Sequence, residues 1–443
     1  MKKYVFPNGL TLVYEKSKMP VCSIYSYVRV GSINETDETR GSSHFIEHMC
    51  FKGTKKIKSS KKIFESYDKI GAVFNAFTEK DHTCFYVNCG DDYIQNCLQI
   101  MSDTMLNSVF KESEYKMETP IMLEEMIRDE DDPDTKLFKE IDKFLYTGSP
   151  YSQPIDDIEF HRTKIPYNYK QTLDYYKKYY VPENIIVSIV SSHSFEKIKK
   201  VIYSTFFNSL KKKTINREPI LNIQKPYSNK ITYRILEKQG MKSQHLCIVF
   251  KTCSHSNADR FALNILSQII GGGLGSRMSM LLREQNGLTY ESSCSTDYVS
   301  IGGEFQIYAV LDPSKLFKNG SKKGVLPLII GLIKDLIKNG INKDELEIAK
   351  GNFKGKMILQ QEKGTNKAQY NGIQYTLYSD EPFVLYNEIY EKNYSGLDVR
   401  YVNSVIKKYF GEPSNMCLGI IGSRGSHFPN LENIEKICEN IYL

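Results

Sequence analysis

The chain repeats itself at about half its length, which points to a pair of related domains. Lys177-Lys178-Tyr179-Tyr180 is followed by Pro182-Glu183-Asn184 and the apolar run Ile185–Val190. Lys407-Lys408-Tyr409-Phe410 is followed by Pro413-Ser414-Asn415 and the apolar run Met416–Ile421. Each time the end of a helix leads through a turn into a buried strand, so each copy closes a domain in the same way. A length of 443 residues also fits two domains better than one core. The expected boundaries are 1–212 and 230–443, with the polar stretch 213–229, which holds Pro219 and Pro226, as linker.

Within the first half, Leu10–Tyr14, Cys22–Val30, Ala72–Thr78 and Thr83–Asn88 read as strands. In the second of these, Cys22, Ile24, Val28 and Val30 alternate with Ser23, Tyr25 and Arg29 at period two, the pattern of a half-buried strand. Ile63, Phe64, Tyr67 and Ile70 form a helical stripe closed by Gly71. Asp91 and Asp92 are expected to cap a helix whose inner face is Ile94, Leu98, Met101 and Met105. Lys111–Asp134 is acidic and helical, and most of its carboxylates read as a solvated face.

The chemistry concentrates in His44-Phe45-Ile46-Glu47-His48. Two imidazoles one helical turn apart face the same point and can chelate one Zn2+. Glu47 stands beside them, placed to take a proton from a water. The order reverses that of the common H-E-x-x-H zinc motif. The chain has only eight His, so the competing reading, two histidines packed on a helix face, requires a coincidence. A catalytic zinc site needs a third protein ligand and one open position. The acidic helix offers Glu124 and Glu125, and periodicity alone does not choose between them. Glu118 and Glu125 are seven apart and share a helix face.

Composition narrows the rest. The net charge of +7 is a mild bias, and the lysine runs at 55–56, 61–62 and 211–213 read as solvated surface. No nucleic-acid recognition motif is present, so no nucleic-acid partner is expected. The ten Cys show no CxxC spacing, and several fall in apolar runs, which suits buried thiols in a reducing compartment. The N-terminal residues show neither a secretory h-region nor a transit-peptide pattern, and no apolar run reaches 18 residues. A soluble, intracellular, most simply cytoplasmic protein without a membrane span is expected.

Several motifs, taken in order, resemble a known family. His44-Phe45-Ile46-Glu47-His48 continues as Met49-Cys50-Phe51-Lys52-Gly53-Thr54. This is similar to the zinc segment of the pitrilysin/insulinase superfamily of inverzincin metallopeptidases, in particular its mitochondrial processing peptidase branch. Gly71-Ala72-Val73-Phe74-Asn75-Ala76-Phe77-Thr78 resembles the family's substrate-binding strand. Leu123-Glu124-Glu125-Met126 resembles the third-ligand helix and places the ligand on Glu125, with Glu118 matching a supporting glutamate upstream. Gly271-Gly272-Gly273 and Leu282-Arg283-Glu284-Gln285-Asn286-Gly287-Leu288-Thr289-Tyr290 resemble the second-domain signature, whose functional pair falls on Arg283 and Tyr290. The glycine-rich stretch lacks the GxxxxGK[ST] pattern of a phosphate loop. One departure stands out. Pro120 lies between Glu118 and Glu125 and is expected to kink the helix or to start a new one with Thr119 as N-cap.

The resemblance implies an α+β fold of two related domains, each an antiparallel sheet with packed helices. It implies one Zn2+ per chain on His44, His48 and Glu125, with Glu47 as general base. Peptides or unfolded polypeptides would bind beside Asn75, Ala76 and Phe77, helped by Arg283 and Tyr290. It further implies a homodimer, or a heterodimer with a related subunit. The family also contains core subunits of a respiratory complex that have lost the site, so a non-catalytic scaffold is the alternative. Simple surface pairing of Arg283 with Glu284 or Glu291, a strand-end role for Asn75, and plain packing of His82 and His245 are the competing readings of those residues.

Overall fold

A computed structural model describes residues 1–163, 166–215, 230–378, 383–425 and 427–442. These divide into two compact units. The first is built on strands β1 (Lys2–Val5), β2 (Thr11–Lys16), β3 (Val21–Val28), β4 (Val73–Thr78), β5 (Thr83–Gly90) and β6 (Ile185–Ser191). The second is built on β7 (Thr232–Glu237), β8 (Gln244–Thr252), β9 (Thr289–Val299) and β10 (Gly302–Leu311). After a two-residue pair, β11 (Lys318–Asn319) and β12 (Lys322–Lys323), it adds β13 (Met416–Gly422). The first sheet runs β1-β2-β6-β3-β5-β4 and the second β7-β13-β8-β10-β9. Without β1 the two orders correspond strand for strand. Both sheets are antiparallel apart from one parallel pair each, β2 with β6 and β7 with β13. The two related α+β units expected from the repeat are therefore present, with mixed sheets.

In the first unit, helices α1 (Ser42–Cys50), α2 (Ser60–Asp68), α3 (Ile94–Leu106), α7 (Tyr169–Tyr179) and α8 (Phe195–Tyr203) cover one sheet face. Cys22, Ile24 and Val28 of β3 point into that core. The opposite face was expected to meet solvent, but β3 is buried from Cys22 to Val28. Helix α12 (Gly364–Leu377), from the second half of the chain, lies on that face against β3 and β6. Tyr25, Tyr27, Val13 and Ile186 pack with its Ala368. The Tyr27 hydroxyl donates to the Gln369 carbonyl (3.2 Å), and Asn371 donates to Glu15 (2.8 Å).

The second unit receives a helix in return. Between α4 (Glu112–Asp131) and α6 (Ile158–Thr163), helix α5 (Pro133–Leu145) packs on β7, β8 and β13. The remaining helices of this unit are α9 (Asp259–Gly271), α10 (Val325–Asn339), α11 (Lys343–Gln361), α13 (Val399–Phe410) and α14 (Leu431–Cys438). The units thus do not follow the halves of the chain: residues 130–152 group with the second unit and 360–387 with the first. Of the linker expected at 213–229, residues 216–229 lie outside the described residues.

Asp91 does not cap the helix that follows. Its carboxylate accepts from the Ser191 hydroxyl (2.7 Å) and the Ser192 amide (3.0 Å), which ties the end of β6. All ten Cys are free thiols, nine of them buried. No described helix is long and apolar enough to cross a membrane.

The approach of α12 to the sheet depends on Gly372, where a Cβ would lie 2.2 Å from Tyr27 Cε2. Gly355 of α11 has nothing within 4 Å of the same position. Gly372→Val should therefore lose about 1–3 kcal/mol through overpacking. Gly355→Ala should gain about 0.5–1 kcal/mol from helix propensity. Urea unfolding of the two variants checks the contrast.

Candidate metal centre

The centre is built on α1, and α1 starts where only glycine fits comfortably. Gly41 has φ 77°, and a Cβ there would stand 2.7 Å from the Tyr167 hydroxyl. The Glu35 carboxylate accepts the Gly41 and Ser43 amides, both at 2.7 Å, and so satisfies the free N–H groups of the helix start. Burial pushes Glu35 up to about 7, against the pull of those amide bonds. Phe45, Ile46, Met49 and Cys50 fill the core beneath α1. His44 and His48 are left on the outer face, with ring centroids 4.9 Å apart and planes nearly perpendicular.

Helix α4 crosses this face. The break expected at Pro120 does not occur: α4 runs unbroken from Glu112 to Asp131. Proline removes one bond, to the Lys116 carbonyl, and the turns on either side continue the helix. Thr119 caps nothing here; its hydroxyl donates back to the Tyr115 carbonyl at 2.9 Å. Glu118 and Glu125 therefore share a face, as their spacing predicted, and both reach His48. Glu118 Oε1 lies 2.9 Å from His48 Nδ1, and Glu125 Oε2 lies 3.6 Å from His48 Nε2. Glu124 is exposed on another side of the helix.

One donor atom each from His44, His48 and Glu125 lies within 4.8 Å of the other two. Two imidazoles and a carboxylate form the donor set of a catalytic Zn2+. The orientation of the rings fits as well. An ionised carboxylate only accepts, so the Nδ1–H of each histidine donates outward and each Nε2 lone pair is left for a metal. For His48 the acceptor is Glu118. For His44 it is Asp156, whose two oxygens both lie 3.0 Å from Nδ1. Burial disfavours the imidazolium of His44, but Asp156 outweighs it and raises the ring to about 9. Burial likewise works against the Glu118 charge, yet His48 and the Lys52 ammonium outweigh it and hold the carboxyl below its ordinary range.

Glu47 is 8% exposed. Burial raises its pKa, opposed by His44 and by the Thr78 hydroxyl, which donates to Oε2 at 2.8 Å. Thr78 ends β4, the outermost strand on its side of the sheet. Asn75, Ala76 and Phe77 lie on that strand. The Asn75 side chain accepts the Ala76 amide at 2.8 Å.

Arg283 and Tyr290 lie in the second unit, on a π-helical turn at Ser279–Glu284 and at the start of β9. Arg283 is 3.7 Å from Glu284, and Tyr290 is 97% exposed. His82 and His245 make ordinary partners, Asp81 at 2.7 Å and Asp134 at 2.5 Å. Sequence reasoning missed Asp156, Thr78, Glu35 and Lys52. Lys52 and Thr78 stood inside quoted motifs without a role. Asp156 carries no local signal, because its partner is 112 residues away.

Residues 11–157 match the family described as Insulinase (Peptidase family M16), and residues 166–353 match its companion, Peptidase M16 inactive domain. The uncharacterized zinc protease YmxG of Bacillus subtilis is 28% identical over 429 residues, covering 96% of this chain and 99% of its own. An uncharacterized zinc protease of Rickettsia felis is 28% identical over 84% of this chain and 86% of its own. Among solved structures, a protease from Helicobacter pylori superposes with a TM-score of 0.85 at 22% identity, over 95% of this chain and 99% of that one. The periplasmic protease PqqL of Escherichia coli gives 0.80 at 14% identity, over all of this chain and 50% of its own. Two successive domain matches in family order, relatives aligned over most of their length and a common two-unit fold converge: the chain belongs to the pitrilysin/insulinase superfamily, peptidase family M16.

Proposed function

We propose that this chain is a zinc-dependent endopeptidase acting on peptides or unfolded segments. The reading is carried by the convergence of His44, His48 and Glu125 beside a buried glutamate, Glu47. The zinc-protease names of its relatives support it. When bound, the ion supplies Lewis acidity that polarises a peptide carbonyl and acidifies a water. Glu47 takes the proton of the attacking water and passes it to the leaving amine, a task for which its raised pKa suits it. Thr78 holds the carboxylate of Glu47 in place. The substrate adds as a strand along the open edge of β4, where backbone hydrogen bonds are indifferent to sequence and side-chain pockets set preference. Arg283 and Tyr290 contact the substrate or its developing oxyanion. The alternative, a non-catalytic scaffold, leaves the complete set of His44, Glu47, His48 and Glu125 without a purpose.

Purified protein should carry about one Zn2+ per chain. His48→Ala or Glu125→Gln should lose most of it and Glu124→Gln should keep it, as read by elemental analysis. Asp156→Asn should weaken zinc roughly 10–100-fold in a chelator competition, the scale of outer-shell partners. Loss in the Glu124 variant with retention in the Glu125 variant would put the third ligand on the wrong carboxylate.

Glu47→Gln should retain metal and fold but cleave peptide libraries at least ~100-fold more slowly. Near wild-type cleavage by this variant would sink the mechanism.

Both halves of the proposed site stand on one polypeptide, so a homodimer in which Arg283 and Tyr290 of one copy serve the metal of the other is the economical assembly; two-fold dimers are also the commonest oligomers. Mixing inactive Glu47→Gln chains with inactive Arg283→Ala/Tyr290→Ala chains under subunit exchange should restore one intact site per mixed dimer. An active monomer on a sizing column, or no recovery despite proven exchange, would rule this arrangement out.

A further inference from the structure

The second unit carries counterparts of the helix positions that form the metal centre. Helices α1 and α9 both follow the middle strand of the shared five-strand order, β3 or β8, and each packs against the edge strand, β4 or β9. Set Arg40 on Arg260, and the alternation of buried and part-buried positions is identical from Ser42–Cys50 to Ala262–Ile270. His44 then falls on Asn264, Glu47 on Ser267 and His48 on Gln268. Helices α4 and α11 correspond more loosely. The buried Tyr115, Glu118 and Met126 match the buried Leu346, Ala349 and Met357, while the buried Met122 meets the part-buried Phe353, and this register sets Glu125 on Lys356.

The hydrogen bonds make the same comparison. In the first unit, Glu125 of α4 approaches His48 of α1 at 3.6 Å. In the second, the Lys356 ammonium of α11 donates to Gln268 Oε1 of α9 at 2.8 Å and to the Gly272 carbonyl at 3.0 Å. Asn264 donates to the Tyr394 hydroxyl (2.9 Å) and accepts from Thr296 and Tyr298 (both 2.8 Å).

We propose that Lys356 is a built-in cation standing where the first unit has its metal, so that Asn264, Gln268 and Lys356 form a latent metal centre. The inference rests on the reading of His44, His48 and Glu125 as ligands. The ammonium bridges the same pair of helices through neutral oxygens instead of metal bonds. Its charge repels a divalent ion from the spot. The chemistry that distinguishes the two units thus lies in side chains on a common frame: His44, Glu47, His48, Glu118 and Glu125 stand against Asn264, Ser267, Gln268, Ala349 and Lys356.

The test rebuilds the site. In a His48→Ala background, which should take up little zinc, Asn264→His/Gln268→His/Ala349→Glu/Lys356→Glu, which also supplies the counterpart of the Glu118 acceptor, should restore about one Zn2+ per chain. The same chain with Lys356 retained should bind on the order of tenfold more weakly or worse. A rebuilt chain that is folded by circular dichroism yet binds no zinc would overturn the inference, as would equal binding with Lys356 retained. A wild-type chain without zinc would instead refute the reading of the first unit. A second measurement does not depend on the rebuilt chain folding. Lys356→Met keeps the aliphatic stem and removes the charge. It should speed hydrogen exchange in the last turn of α9 several-fold while leaving α1 unchanged, and unchanged exchange in α9 would refute the bridging role.

Discussion

The metal centre depends on two carboxylates that never have to touch a metal. Asp156 and Glu118 each accept the Nδ1 proton of one histidine, and this turns both Nε2 atoms to a common point. Without those acceptors, two imidazoles one turn apart on a short helix would be free to rotate. The arrangement is costly in charge: Glu47, Glu118, Glu125 and Asp156 crowd one region, with Lys52 beside Glu118 and Arg128 beside Glu125. The raised pKa of His44 expresses the same pressure, whereas that of Glu47 comes chiefly from burial. A divalent cation at the converging donor atoms would relieve it, and its binding would then be coupled to local stability.

What the sequence made legible follows from distance along the chain. The spacing of His44 and His48 encodes their meeting directly, since both ride one helical turn. Glu118 and Glu125 keep a common face for the same reason, and α4 preserves it through Pro120. The choice between Glu124 and Glu125 needed a tertiary fact, namely which side of α4 faces α1. Asp156 was invisible because nothing near it in sequence records a histidine 112 positions earlier. The strand alternation in β3 was real, but its polar-looking face holds tyrosines whose rings are buried beneath α12. An amphipathic pattern says that a helix has a face to bury; it does not say which sheet will bury it.

The two units show how far chemistry can diverge on a conserved frame. The apolar positions of α1 and α9 correspond because both must pack on the same kind of sheet. The outward positions carry no such constraint and have become imidazoles in one unit and amides in the other. Tyr290 is a further case of an outward position on the second unit: its ring is almost wholly exposed near the start of an edge strand.

The exchange of α5 and α12 has a consequence for the order in which the protein can be made. The first sheet has all its strands once β6 ends at Ser191, yet the helix that covers its second face ends only at Leu377. At roughly 5–20 residues per second, a ribosome needs on the order of 10–40 s to cross that gap. During the interval the β3 and β6 side chains that later meet Ala368 face water or a chaperone. The nascent first unit therefore waits, incompletely covered, for a helix from the far half of its own chain.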